Sequence, residues 1–267
     1  GGGLEQPARN GKIMFVNRDR VFYHGLLGGR MQPRRIGGIG VYLAAEGDIR
    51  LRIGTQPWRV GRCFVVPQYC THQVTAEGAQ IFNLLFEPER IGPQDQRRLI
   101  AACARLQERP AAMERIRRAA EYLKESWSRN RLDTAEFDRL LLGQPLPERA
   151  LDPRIGLTLD LFEQDLGDLG LSAEESARRV GLSPSRFLHL FKEQTGAAYR
   201  SLRMWKRARR FLQHANRDRN LTEVALDLGY PDSSHFSHSI RRTYGLKPRS
   251  IRDGSRDLEV IAGYSGK

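Results

Sequence analysis

The stretch Leu221–Arg252, LTEVALDLGYPDSSHFSHSIRRTYGLKPRSIR, decides how this chain is organised. Thr222 is placed to cap a short helix with one apolar face. Gly229 permits a sharp turn, because glycine enters positive φ without steric cost. A second helix follows, with Phe236 and Ile240 four residues apart on its buried face and small polar residues on the other. This pattern predicts a helix-turn-helix.

The chain carries the same pattern twice. The first copy is Ser172–Gly196, SAEESARRVGLSPSRFLHLFKEQTG, and the offset between the copies grows by one residue at Pro231, inside the turn. The matching positions are Ala177 and Gly181 with Ala225 and Gly229, Phe187 and Phe191 with Phe236 and Ile240, and Gly196 with Gly245. Two unrelated helical hairpins are the alternative, but they would not preserve turn, core and polar face together.

The repeat, with GYPDSSHFSHSIRRTYGLKP in its second copy, resembles the DNA-binding domain of AraC/XylS-type transcription regulators. Ile240 stands where the family usually has phenylalanine, and Ile251 where it often has an aromatic residue, so both core positions stay apolar. The resemblance implies an all-α tandem helix-turn-helix domain over residues 152–254. Its expected partner is double-stranded DNA, with RNA polymerase as a further candidate.

Base-reading residues are expected near the N-terminal ends of the two recognition helices. By family position they are Ser185, Arg186, His189, Ser233, Ser234, His235, Ser237 and His238. Arg186 is the best candidate for reading guanine, because arginine can bond O6 and N7 together. The residues expected to hold phosphates, and so to position without specifying, are Lys192, Arg203, Arg207, Arg210 and Arg241.

A single helix is predicted over Ala197–Asn216, between the two copies. At 1.5 Å per residue it would span roughly 30 Å. Successive major grooves on one face of B-DNA lie ~34 Å apart. A helix of this length would therefore present both recognition helices to adjacent grooves.

The net charge of the chain is +13, and most of it lies in the repeat. Residues 172–252 hold 17 Lys and Arg against 7 Asp and Glu, a net charge of +10. A solvated basic surface would not explain why the excess is concentrated there. The distribution indicates a polyanionic partner.

The N-terminal half changes to short apolar runs separated by glycine, which is typical of a sandwich or barrel. The predicted strands are Ile13–Val16, Val21–Tyr23, Ile39–Leu43, Ile49–Ile53, Arg62–Val66 and Ile81–Phe86. The run WRVGRCFVVPQYCTHQV, Trp58–Val74, resembles the second sequence motif of cupins, which often precede the DNA-binding domain in this regulator family. We therefore predict an α+β multidomain protein, with a cupin-like β-barrel and helices followed by the tandem repeat.

A metal site is not expected in this barrel. His72 is the one histidine of the second cupin motif, and the first motif, which normally supplies two more, is missing. One histidine cannot hold a metal, so a structural role at the barrel mouth is favoured. We expect no cofactor and no catalysis, and a cupin oxygenase or isomerase is the less favoured alternative.

Arginines stand where the first cupin motif would lie, around residues 30–36. Arg30, Arg34 and Arg35, with Trp58 near in space, are expected to bind an anionic effector, because arginine forks pair with carboxylate or phosphate and stack on planar rings. The spacing of Arg30 and Arg34 resembles the RxxxR element of PilZ-type cyclic-dinucleotide receptors, although the companion element is absent. A nucleotide effector such as a cyclic dinucleotide is one candidate, and a solvated loop is the alternative.

Helices are predicted over Pro93–Glu108 and Ala111–Ser126, with a third capped by Asp133. The family resemblance assigns dimerisation to this region, so residues 12–143 are expected to form an effector-sensing and dimerisation domain. No run of about 18 apolar residues is present, which argues against a membrane span. Three cysteines without metal-ligand spacing favour a reducing compartment. The expected protein is a cytoplasmic, homodimeric, effector-responsive regulator, with a ligand-independent dimeric DNA-binding protein as the alternative.

Overall fold

The computed structural model describes residues 11–27, 31–164 and 171–263. Its N-terminal part is β-rich with three helices, and its C-terminal part is helical. The nine strands are β1 Ile13–Val16, β2 Arg20–Leu26, β3 Ile39–Ala44, β4 Ile49–Ile53, β5 Arg59–Gly61, β6 Cys63–Val66, β7 His72–Thr75, β8 Gln80–Phe86 and β9 Glu259–Ala262. The predicted α+β, two-part class is confirmed.

The strands form two sheets in place of the closed barrel that we predicted. Six strands pair in the order β6-β3-β8-β2-β1-β9, and three in the order β5-β4-β7. A closed barrel would require the free edge of β1 to pair with another strand of the barrel. That edge pairs instead with the C-terminal strand β9, in parallel register, with Ile13 opposite Glu259. The large sheet therefore ends on a strand contributed by the C-terminal part of the chain.

Strand β1 explains how the large sheet is buried on both faces. Successive side chains of a strand point to opposite sides. Ile13 and Phe15 pack with helices of the N-terminal part, whereas Met14 and Val16 pack with the C-terminal helices. A third core lies between the two sheets, around Tyr42. Because both faces are covered, this strand is apolar throughout.

Three helices cover the first face: α1 Pro93–Ala104, α2 Pro110–Ser126 and α3 Thr134–Leu142. Asp133 caps α3 as predicted, accepting from the Glu136 amide at 2.8 Å. Arg20 on β2 forms a bidentate pair with Asp138 on α3, at 2.9 and 3.1 Å, and both side chains are buried. This paired charge fixes the helices on the sheet.

The C-terminal helices are α4 Pro153–Gln164, α5 Ala173–Arg179, α6 Pro184–Thr195, α7 Tyr199–Arg210, α8 Leu221–Asp227, α9 Ser233–Tyr244 and α10 Pro248–Gly254. The helix predicted over residues 197–216 is shorter than expected. It is α7, whose 12 residues span about 18 Å. A 3-10 turn, Phe211–His214, then buries Phe211 edge-on against Phe236.

The predicted domain limits, 12–143 and 152–254, stay a prediction. The chain continues past residue 254 into β9, which returns to the N-terminal sheet. Trp205, Tyr244 and Leu258 share a core with sheet residues such as Leu85. None of the helices in the described ranges has the length and apolar content needed to cross a bilayer.

Candidate nucleic-acid interface

The first helix-turn-helix is formed by α5 and α6, and serines cap both helices. Ser172 accepts from the Glu175 amide at 3.1 Å, and Ser183 from the Arg186 amide at 3.3 Å. A proline at the first helical position then favours the start of α6. Gly196 ends α6 at φ 75°.

The second copy, α8 and α9, has the same helix lengths as the first, seven and twelve residues. Asp232 caps α9 by accepting from the His235 amide at 2.9 Å, so of the two caps that the sequence allows, Asp232 and Ser233, the first is used. The cap of α8 is Asn220 and not Thr222, because Asn220 accepts from the amides of both Thr222 and Glu223. Asparagine is among the strongest capping residues, and the helix starts earlier than we predicted, at Leu221.

The cores of the two copies correspond. Phe187 and Phe191 are fully buried in the first copy, as are Phe236 and Ile240 in the second. Tyr199 of α7 packs edge-on against both phenylalanines of the first copy, with centroids 5.2 Å apart in each case. The predicted repeat of turn and core is therefore present in the structure.

The opposite face of each recognition helix is open. Of the predicted base-reading residues, all are exposed except Ser237, which is half-buried. His189 is open to solvent, with 86% of its side chain exposed. His235 is held by its own helix cap, with Nδ1 at 2.9 Å from the Asp232 carboxylate. The fold thus places these side chains on two accessible helix faces, and their role as base readers stays a prediction.

The predicted phosphate contacts divide into two groups. Lys192 and Arg241 are exposed. Arg203 donates to the Leu171 carbonyl at 2.7 Å, Arg210 donates to the Phe162 carbonyl, and the Arg207 guanidinium lies over the Tyr230 ring at 5.3 Å. Because arginine has five N–H donors, these three can contact a phosphate only with the donors that remain.

The N-terminal part holds the end of recognition helix α9 through Arg34. Its Nε and Nη2 donate to the Tyr244 carbonyl at 3.0 and 2.9 Å, and Nη1 donates to the Tyr42 hydroxyl at 3.3 Å. Tyr42 in turn lies 2.6 Å from Nε2 of His72, whose Nδ1 donates to the Cys70 carbonyl at 2.8 Å. A guanidinium at a helix C-terminus also complements the helix dipole.

His72 is a structural histidine in this network. Burial lowers the pKa of His72 to about 4, so the ring is neutral. Nδ1 carries the proton, and the lone pair of Nε2 accepts from the Tyr42 hydroxyl, so it is not open to a metal. The described residues contain no group of three or more His, Cys, Asp or Glu placed to hold a metal ion.

Backbone hydrogen bonds continue the same contact. The Gln32 amide donates to the Gly245 carbonyl at 2.9 Å, and the Arg35 amide lies 3.1 Å from the carbonyls of both Arg242 and Thr243. Gly245 has φ 71°, and a Cβ there would collide with the Gln32 backbone. Only glycine fits this position, because both the backbone conformation and the close approach exclude a side chain.

A buried ion cluster anchors α7 to the segment after β8. Glu87 accepts from Trp205 Nε1 at 2.9 Å and from Lys206 Nζ at 2.6 Å, and its other oxygen lies 2.6 Å from Arg209 Nε. Glu89 is 3.8 Å from Lys206. Burial raises the pKa of Glu89 to about 7, although the Lys206 ammonium opposes the shift.

Of the predicted effector residues that the structure describes, Arg34 and Arg35 line a common pocket, and Trp58 does not line it. Arg34 is buried at the contact with α9, and Arg35 donates to the Tyr69 carbonyl at 3.0 Å. Trp58 lies on the small sheet, where the Arg50 guanidinium is 5.8 Å from its ring centroid. Arg30 lies outside the described residues. The sequence did not identify Trp205, Lys206 or Arg209 as contacts to the N-terminal part, since their partner Glu87 lies more than 100 positions away in the chain.

A cavity of about 170 Å³ lies between the two parts of the chain. Its walls are mostly apolar, and they include Met14 and Leu85 from the sheet, Trp205 and Leu258 from the C-terminal part, and Arg34. Sequence patterns could not find it, because its walls come from segments far apart in the chain.

Comparison with known proteins places the repeat in a family. The helix-turn-helix domain family HTH_18 matches residues 176–254. The HTH-type transcriptional activator RhaS of Escherichia fergusonii is 38% identical over 83 residues, covering 31% of this chain and 24% of RhaS. The bifunctional transcriptional activator/DNA repair enzyme Ada of Escherichia coli is 30% identical over 90 residues, covering 34% of this chain and 25% of Ada. The chain spans about a quarter of the length of these relatives.

Solved structures extend the likeness in fold to most of the chain. An apo form of a ToxT variant from Vibrio cholerae has a TM-score of 0.54 at 10% identity, covering 87% of this chain and 97% of that chain. ToxT bound to (E)-4-(8-methylnaphthalen-1-yl)but-3-enoic acid has a TM-score of 0.50 at 11% identity, with the same coverage. Residues 176–254 therefore carry a helix-turn-helix domain of the HTH_18 family, and the two-part fold of the chain, with its β-rich N-terminal part, is similar to that of ToxT.

Proposed function

We propose that this protein is an effector-responsive transcription regulator, in which α6 and α9 read two successive major grooves and the N-terminal domain binds a small anionic ligand. Two polar helix faces and the net charge of +10 over residues 172–252 support DNA binding. Footprinting of the full chain on a genomic fragment library tests the DNA-binding part of this proposal. Protection of two segments one helical turn apart is expected, and uniform weak protection would contradict sequence reading.

The observation that supports ligand sensing is that Arg34 takes part in two sites at once. Its side chain lines the cavity between the domains and at the same time holds the Tyr244 carbonyl at the end of α9. A carboxylate or phosphate in the cavity competes for this guanidinium, because a charged acceptor binds arginine more strongly than a neutral carbonyl does. Binding there would weaken the contact that holds recognition helix α9.

The apolar walls favour a ligand with an apolar body and one anionic group. The acid in the second ToxT structure is of this kind, and it serves as a guide for choosing probes. A cyclic dinucleotide stays a candidate because its phosphates suit arginine pairs. By linkage, a ligand that changes DNA affinity must have its own affinity changed by DNA to the same extent.

Calorimetry of the full chain tests the sensor with an apolar monocarboxylate, a cyclic dinucleotide and inorganic phosphate, each with and without bound DNA. Arg34→Met is expected to abolish binding of the active probe. Arg62→Met is the matched control, because Arg62 is exposed between β5 and β6 and does not line the cavity. Binding of none of these probes by the wild type would favour the ligand-independent alternative.

Dimerisation through α1–α3 is part of the same proposal. The inner face of α2 packs on the sheet through Ile116 and Leu123, whereas Tyr122 is 45% exposed on the outside. An exposed aromatic residue on a helix is suited to an interface. Light scattering is expected to report a homodimer, and Tyr122→Glu to shift it toward monomer. A monomeric wild type at all concentrations would contradict this part.

A further inference from the structure

A second cleft, of about 370 Å³, opens where the N-terminal domain meets α7 and α9. It is distinct from the apolar cavity in its chemistry. The residues that line it are Arg35, Tyr69, Arg200, Ser201, Met204, Trp205, Arg242 and Thr243. Three are arginines and none is a carboxylate. Like charges this close together repel one another, and an anion between them would remove the repulsion.

The arginines come from three different elements. The Arg35 backbone is fixed against α9, since its amide donates to the carbonyls of Arg242 and Thr243. Arg200 is in the first turn of α7, and Arg242 is in the last turn of α9. Both are exposed, and within the described residues neither forms an ion pair with a carboxylate. Their donors are therefore open to an anion.

Tyr69 lines the cleft and has two unusual features, its backbone conformation and its hydroxyl group. Its φ is 57°, a left-handed conformation that is uncommon for a bulky residue. The Tyr69 amide donates to the Ile36 carbonyl at 2.7 Å, and the Arg35 guanidinium lies over its ring at 5.3 Å. Its hydroxyl is buried and has no hydrogen-bond partner among the described residues. Backbone strain and an unsatisfied donor both occur most often at functional sites.

The first turn of α7 adds further donors to the same cleft. The N-cap residue Ala198 has no side chain that could accept from the first amides, and Ser201 supplies a hydroxyl. Helix N-termini carry a partial positive charge and attract phosphates. Several N–H forks, hydroxyls and a helix N-terminus around one small space fit an anion with several acceptor oxygens.

We propose that this cleft, lined by Arg35, Arg200 and Arg242, binds a phosphoryl group, and that it thereby lets the N-terminal domain contribute to nucleic-acid binding. This inference rests on the proposed function, because the DNA backbone is the main source of phosphate for the cleft. Arg242 lies on recognition helix α9 itself, so a phosphate flanking the groove is the expected occupant. A phosphorylated small molecule offers the same chemistry and is the second source that the experiment separates.

The test compares Arg35→Gln, Arg200→Gln and Arg242→Gln in the full chain, with Arg62→Gln, an exposed arginine between β5 and β6 that does not line the cleft, as the control and circular dichroism to verify folding. The first arm measures affinity for a random 30-base-pair duplex against salt concentration. Each cleft variant is expected to lower the log–log slope by about 0.9, because one phosphate contact is lost. The control is expected to keep the wild-type slope.

The second arm is a calorimetric titration with inorganic phosphate and pyrophosphate. Phosphate binding that is lost in the three variants, with unchanged DNA slopes, supports a free phosphorylated ligand in the same cleft. Unchanged slopes together with no phosphate binding by the wild type would overturn the proposal. If the wild type does not bind DNA at all, the proposed function is wrong. The calorimetric titration then still shows whether the cleft binds a phosphoryl group.

Discussion

The two helix-turn-helix copies have the same architecture but different surroundings. Both have helices of seven and twelve residues, a buried pair on the recognition helix and a left-handed glycine at its end, Gly196 or Gly245. The end of α6 packs beside the turn Pro88–Arg90 and approaches Gln68. The end of α9 is instead hydrogen-bonded to the N-terminal domain through Arg34 and its neighbours.

This difference indicates how one motif can serve two purposes. The position of α6 depends mainly on apolar packing, which does not change when a ligand binds elsewhere. The position of α9 depends on directed hydrogen bonds from residues that also line the interdomain cavity. Hydrogen bonds can be exchanged for others by a competing anion, so the second copy is the one that a ligand is expected to control.

Equivalent cores are the first point to test. Phe187→Ala and Phe236→Ala are each expected to lower the free energy of unfolding by about 3–5 kcal/mol, because each removes a buried ring and leaves a cavity. Urea denaturation of the two variants measures this. A loss in one copy that is several times larger than in the other would show that their cores are not equivalent.

The second test concerns the unequal contacts of α6 and α9 with the N-terminal domain. Arg34→Met is expected to lower the free energy of unfolding by about 1.5–3 kcal/mol, since charge-assisted hydrogen bonds to a buried carbonyl are lost. Amide hydrogen exchange should become faster in Ser233–Tyr244 and remain unchanged in Pro184–Thr195. Equal acceleration in both helices would contradict a sensor that acts on the second copy alone.

The reading of DNA by the first copy gives a third test. Arg186→Ala is expected to reduce discrimination by about 1–3 kcal/mol at one base pair, because a bidentate contact to guanine is removed. Lys192→Ala, one of the exposed basic residues of the same helix, should weaken all sequences alike. Competition against a panel of mutated sites measures both. Equal losses on specific and random DNA would refute the division between reading and positioning.

The smallest expected effect concerns pH at the turn beside α6. The pKa of Glu89 is about 7 in the folded protein and 4.5 without burial, so the folded state binds more protons between these values. The free energy of unfolding should therefore fall as pH rises, by about 1 kcal/mol between pH 6 and pH 7. Glu89→Gln should remove this slope in denaturation experiments at several pH values. If the slope is unchanged in this variant, the pH dependence of the free energy of unfolding belongs to another group.

Much of the fold follows from local patterns. The limits of β1 and β4, the Asp133 cap, and the one-residue offset between the copies were all predicted from residue spacing. These features depend on neighbours within a few positions, such as the alternation of a strand or a cap three residues before an amide. The short strands β5 and β7 lack a strong alternation and were not predicted.

The tandem helix-turn-helix repeat after a β-rich part can be predicted from the amino-acid sequence, because period, caps and turn glycines are local properties. The contacts between the two parts are visible in the folded structure alone. It placed Arg34 at the end of α9, gathered Arg35, Arg200 and Arg242 around one cleft, and added β9 to the first sheet. The contact between Arg34 and Tyr244 alone joins residues 210 positions apart. No local pattern records these contacts, since they depend on how separately formed elements pack together.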